Sequence, residues 1–163
     1  MTQSRTAYEL AELLKKRNMK AASAESLTGG LVSKLITDIP GASQIFELGV
    51  CSYSNRIKHE VLGVSEETLE KYSEYSHECA REMAEGVRRL SGADIGIATT
   101  GLAGPSGGTE EKPVGTVYVG ISTRNDTKSF ELRLGEKLSR EEIRVLSAEK
   151  ALSLALKIIS ENQ

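Results

Sequence analysis

Three side chains and one turn of this sequence carry groups that could work together: Ser26, Tyr53, Lys58 and Thr99-Thr100-Gly101-Leu102-Ala103-Gly104-Pro105. A serine hydroxyl is a weak nucleophile until a base takes its proton. Lysine can be that base where desolvation brings its pKa from ~10.4 to roughly 7–8. Tyr53 could orient the amine or relay a proton. A glycine-rich turn can aim backbone N–H groups at a developing oxyanion. Together these are the parts of a serine–lysine amidohydrolase. Singly, each has a plainer reading: Ser26 as a helix N-cap, Lys58 as a solvated helix residue, Tyr53 as packing, Thr100-Gly101 as a tight or phosphate-binding turn.

Rival chemistries lack their residues. There is no Gly-x-x-x-x-Gly-Lys-Ser/Thr loop for a Walker-type nucleotidase. The two histidines, His59 and His77, are not at metal-ligand spacing with suitable carboxylates, which argues against zinc and against a Ser-His-Asp triad. Lysine is therefore the expected base.

Such a site needs elements that bring distant segments together. Thr6-Ala7-Tyr8-Glu9 reads as a capping box opening a helix over residues 4–17. A strand of small residues at 20–25 leads into Ser26, and a helix over 28–38 follows until Pro40-Gly41 stops it. Residues 45–53 read as a strand giving way to a helix that carries Lys58. Ala80, Met83, Ala84, Val87 and Leu90 form the apolar face of a helix over 76–91. Residues 95–98 are a strand buried on both faces, and 102–113 a loop. Strands at 116–123 and 128–134 pair as a hairpin around Asn125-Asp126. Ser139-Arg140-Glu141-Glu142 opens the last helix, with Ile143, Leu146, Leu154 and Ile158 facing the core. The alternation predicts an α/β fold: three layers, α/β/α, around a mostly parallel mixed sheet of about five strands with one antiparallel member. Ligands of such sheets bind at the carboxyl ends of strands, where Ser26, Tyr53 and Thr100-Gly101 fall.

With 163 residues the chain is expected to be one domain spanning 1–163. Its formal charge, 21 − 23 = −2, has no basic cluster, so nucleic acid and anionic membrane are not expected partners. Cys51 and Cys79 read as buried thiols of a reducing compartment. No N-terminal signal and no apolar run near ~20 residues is present, so a cytoplasmic location is expected.

Several motifs in register resemble the C-terminal domain of the CinA (competence/damage-inducible) family. They are Ala24-Glu25-Ser26-Leu27-Thr28-Gly29-Gly30, Gly49-Val50-Cys51-Ser52-Tyr53-Ser54-Asn55 with Lys58, Thr100-Gly101-Leu102-Ala103-Gly104-Pro105, and 107–117. The similarity runs from about residue 6 to residue 160, and Leu27 stands where many relatives have cysteine. The resemblance implies a stand-alone nicotinamide-nucleotide amidohydrolase, converting nicotinamide mononucleotide to nicotinic acid mononucleotide and ammonia. In that reading Ser26 is the nucleophile, Lys58 the base, Tyr53 an assistant, and Thr100 and Gly101 the oxyanion hole. The nucleotide phosphate is expected at Gly104, Gly107, Gly108 and Thr109 or at the helix start of Thr28, Gly29 and Gly30, with Asn55 nearby. No metal or organic cofactor is expected, and a homodimer or larger assembly is. The alternatives are a catalytically silent nucleotide-binding module and an amidase for another small carboxamide.

Overall fold

The computed structural model describes residues 3–162. Its elements are α1 (Arg5–Arg17), β1 (Ala21–Glu25), α2 (Leu31–Thr37), β2 (Phe46–Cys51), α3 (Asn55–Leu62) and α4 (Glu66–Lys71), followed by α5 (His77–Ser91), β3 (Ile95–Gly101), β4 (Thr116–Ser122), β5 (Thr127–Arg133) and α6 (Arg140–Glu161). The sheet has the order β2-β1-β3-β4-β5. β1 is parallel to β2 and β3, while β4 is antiparallel to both β3 and β5. Only β4 therefore runs against the other four, as the hairpin pattern predicts.

Side chains alternate across the strands and build two cores. Ala21, Ile95, Ile97, Val117, Val119 and Ile121 pack with α1, α2 and α6. Ala22, Ala24 and Ala98 face Leu62 of α3 and Cys79, Met83, Ala84 and Val87 of α5. This gives the α/β/α layering. The second face is made of small residues because α5 lies almost on the backbone. A Cβ on Gly96 would sit 2.1 Å from the Ala84 carbonyl oxygen, and one on Gly120 would sit 2.1 Å from that of Ala80. The helix that supports the site is thus seated by glycines in the sheet.

Several local expectations are corrected. Ser4, not Thr6, caps α1, accepting from the Ala7 N–H at 3.2 Å while its own hydroxyl donates to Glu149. α2 starts at Leu31 rather than Thr28, with Gly30 as its cap. Leu90 and Leu146 are 55% and 38% exposed and lie outside the core: Leu90 continues the α5 stripe but falls in the last turn, beyond Val87, and Leu146 sits to the side of the α6 stripe. Cys51 is an exposed thiol at the end of the edge strand β2, and only Cys79 is buried. α4 has six residues, too few to show a helical period. Among the described residues, no helix is long and apolar enough to cross a membrane.

Candidate active site

The parallel strands β1, β2 and β3 end on the same side of the sheet, and their following turns meet there. Ser26 leaves β1 with its amide still held by the Thr99 carbonyl at 2.9 Å. It is not a helix cap, and it is buried but for 7% of its surface. Lys58 enters from α3, whose first turn is capped by the Ser54 hydroxyl accepting from the Ile57 N–H. Helical side chains lean toward the N-terminus, so its amine folds back over Ser52 and Tyr53.

The amine lies 3.0 Å from Ser26 Oγ. Lys58 Nζ also donates to the Ser52 carbonyl at 2.9 Å and lies 3.5 Å from that of Tyr53. The residue is 1% exposed, which excludes the solvated reading. Burial pushes its pKa below that of free lysine, outweighing the opposite pull of the Glu74 carboxylate. The positive end of α3 lies at the same place and further disfavours an ammonium. A neutral amine has two N–H groups and one lone pair. The two carbonyls suit the N–H groups, which leaves the lone pair facing the serine hydroxyl.

Beneath the amine is Cys79, whose thiol is pushed by burial up to about 12 and stays a neutral wall. Above it opens a cleft of ≈ 200 Å³, lined among others by Ser26, Tyr53, Asn55, Lys58, Gly101, Gly104 and Gly107.

Strand alternation separates the two residues expected at an oxyanion hole. The Thr99 carbonyl faces β1 and the Leu102 N–H donates to Thr116 beside β4. Successive peptides point to opposite sides, so the Thr100 N–H faces β4 and the Gly101 N–H faces the space just past β1, beside Ser26. The expectation for Thr100 is corrected accordingly. Its amide is turned away, and its side chain donates to the Glu74 carbonyl at 2.7 Å.

Three further expectations are corrected. Thr28 is fully buried, with Oγ1 donating to Glu25 at 2.7 Å and lying 2.7 Å from Thr99 Oγ1. The amides opening α2 are also taken: Val32 and Ser33 N–H donate to the Glu25 carboxyl at 2.6 and 3.2 Å. Thr28, Gly29 and Gly30 therefore do not line the cleft, because a side chain of the protein already fills the helix start. Gly108 and Thr109 also turn away, Thr109 being closed in a turn with Lys112. The Tyr53 phenol does not orient Lys58. It is 63% exposed and accepts from Arg140 at 2.9 Å.

Sequence reasoning missed Arg140, Glu74 and Tyr75, which line the same cleft. Arg140 also donates to the Gly104 carbonyl at 2.7 Å. One signal was available for it: a cation in the first turn of a helix opposes the macrodipole and invites a reason. Glu74 and Tyr75 sit in an unremarkable loop before α5, with nothing in the pattern to mark them.

Residues 3–159 match the CinA C-terminal domain. The chain belongs to that family. A CinA-like protein of Thermotoga maritima is 47% identical over 143 residues, covering 88% of this chain and 34% of its own length. The chain spans about a third of the length of the curated relatives it matches. The crystal structure of the competence/damage inducible protein CihA from Agrobacterium tumefaciens superposes with a TM-score of 0.89 at 35% identity, covering 100% of this chain and 99% of that one. A CinA superfamily protein from Klebsiella pneumoniae gives 0.92 at 28% identity over 99% of both. The CinA-family domain thus extends over the fold and the cleft alike.

Proposed function

We propose that this CinA-family domain is an amidohydrolase that converts nicotinamide mononucleotide and water to nicotinic acid mononucleotide and ammonia. The observation that carries the chemistry is the 3.0 Å approach of a buried, pKa-lowered Lys58 amine to the Ser26 hydroxyl. The nicotinamide nucleotide is the substrate that the family resemblance implies.

Ser26 Oγ attacks the carboxamide carbon while Lys58 Nζ takes its proton. The Gly101 N–H stabilises the oxygen that becomes negative, a contribution of about 3 kcal/mol for a well-placed donor. The lysine then hands the proton to the departing amide nitrogen, which leaves as ammonia. The acyl-serine is hydrolysed by water, activated by the same amine as the chemistry runs in reverse order. No step requires a metal or an organic cofactor.

The cleft of ≈ 200 Å³ suits the aromatic carboxamide end of a nucleotide, with ribose and phosphate at the mouth. Arg140 is the cationic side chain among its lining residues, beside Ser106 and Gly107, and is the fitting phosphate partner. The glycines of the β1–α2 turn are not, since Glu25 fills that helix start.

The test is ammonia release from a panel of carboxamides by the purified chain and by Ser26→Ala. Release from the mononucleotide, abolished in the variant, supports the proposal. Release only from another carboxamide reassigns the substrate, and no release with retained nucleotide binding makes the domain a binding module.

A further inference from the structure

Glu74 is the carboxylate of the cleft, and its position is built rather than incidental. Its carbonyl accepts from Thr100 Oγ1 at 2.7 Å, and Lys112 Nζ donates to the next carbonyl, that of Tyr75. The 73–75 segment is therefore pinned both to the end of β3 and to the loop before β4. The Lys112 amine is engaged by that carbonyl and by Ser73 Oγ, not by the Glu74 side chain. Among the described residues Glu74 has no ion-pair partner within 4.0 Å.

Charge in the cleft is thus divided. Lys58 is held toward its neutral form by burial, so at its end the remaining charge is the Glu74 carboxylate. Arg140 holds the other side, bound to the Gly104 carbonyl and the Tyr53 phenol. Two tyrosines, Tyr53 and Tyr75, line the space between, and burial pushes the Tyr75 phenol up so that it adds no charge. A ligand matching this order carries a delocalised cation beside its carboxamide and an anion further out. Carboxylates and aromatic faces both favour such a cation.

We infer that Glu74 makes this cleft select a carboxamide borne on a positively charged ring, an N-substituted pyridinium, over the same carboxamide on a neutral ring. The inference rests on the amidohydrolase reading and gives it a specificity residue.

The test compares nicotinamide mononucleotide with its 1,4-dihydro form, which keeps carboxamide, ribose and phosphate but has an uncharged ring. Equilibrium binding of both is measured with Ser26→Ala and with Ser26→Ala/Glu74→Gln, so that neither ligand turns over. The single variant should prefer the cationic ligand by about tenfold, the scale of one charge pair in a half-open site. The double variant should lose that preference while its affinity for the neutral ligand stays within about twofold, which also shows that it is folded. An unchanged ratio, no initial preference or equal loss for both ligands overturns the inference. Wild-type turnover of the mononucleotide without charge preference overturns charge selection alone. Preference without turnover overturns the amidohydrolase reading alone, and binding of neither ligand overturns both.

Discussion

Glu25 and Lys58 are the two fully buried ionisable side chains that flank Ser26, at 0% and 1% exposure, and they are furnished in opposite ways. The Glu25 carboxyl accepts four hydrogen bonds: from Thr28 Oγ1, the Val32 and Ser33 amides, and Ser33 Oγ. It serves as a built-in ligand for the start of α2 and locks the turn after the serine. Lys58 receives two carbonyls and the serine, with no carboxylate inside hydrogen-bond distance. A buried acceptor with a full set of donors is architecture. A buried amine denied a counter-ion is disposed to give up its proton, which is what a base needs.

The largest effect expected from breaking this contrast is at Lys58. Lys58→Arg keeps a cation that cannot deprotonate in a protein, so the lone pair is lost while the charge stays. Ammonia release should fall by about 10³-fold, within the usual range for a general base. Circular dichroism and a saturation curve would check that fold and substrate binding survive. If the arginine enzyme keeps near-normal turnover, Lys58 is only a binding charge.

Breaking the other member should cost stability before chemistry. Glu25→Ala would leave the Val32 and Ser33 amides without their acceptor, while the Thr28 and Ser33 hydroxyls keep only Thr99 Oγ1 and Ser23 Oγ, a loss of about 3 kcal/mol by the usual cost of buried unpaired groups. Urea unfolding would measure it. A variant as stable as wild type would mean that water replaces the carboxyl and that the α2 cap is not structural.

The titration of Lys58 sharpens the contrast further. Its folded pKa lies below that of the unfolded chain, so in the window between them the unfolded state binds the extra proton. Stability relative to Lys58→Met should therefore rise as pH rises through that window, starting from the folded value. Below it both states are protonated and the full cost of burying an ammonium is present. The same deprotonation should appear in kcat/KM as a single limb rising with pH, its midpoint below ~10.4. A limb at or above that value would mean that the amine is solvated in the working enzyme.

How much of this was legible in the sequence follows from where each partner comes from. The meeting of Ser26, Lys58 and Gly101 could be read, because each follows a recognisable strand and parallel strands must end on one side. The fate of the β1–α2 turn could not. Thr28 and the glycines have the composition of an anion site, and only the inward course of Glu25 shows that the site is already filled. The Thr100–Gly101 pair was half legible. Composition marks the turn, but which amide faces β1 depends on the register that β4 imposes. Arg140 reaches Gly104 and Tyr53 across 36 and 87 positions, a pairing that no local pattern encodes.

The smallest expected effect is at Tyr53, and it separates a family role from the geometry seen here. If the phenol relayed protons, Tyr53→Phe would damage kcat as a base mutation does. Its hydroxyl instead accepts from Arg140 at the exposed rim of the cleft, while it is the backbone carbonyl of Tyr53 that lies 3.5 Å from Lys58. The backbone carbonyl is untouched by the substitution, and an exposed hydrogen bond is readily replaced by water. Tyr53→Phe should therefore leave kcat within about twofold and raise KM by about threefold, through looser placement of the Arg140 guanidinium. Steady-state kinetics on the mononucleotide decides between them. A kcat loss of a hundredfold with KM unchanged would put the phenol in the proton path and would require Tyr53 to swing inward when substrate is bound.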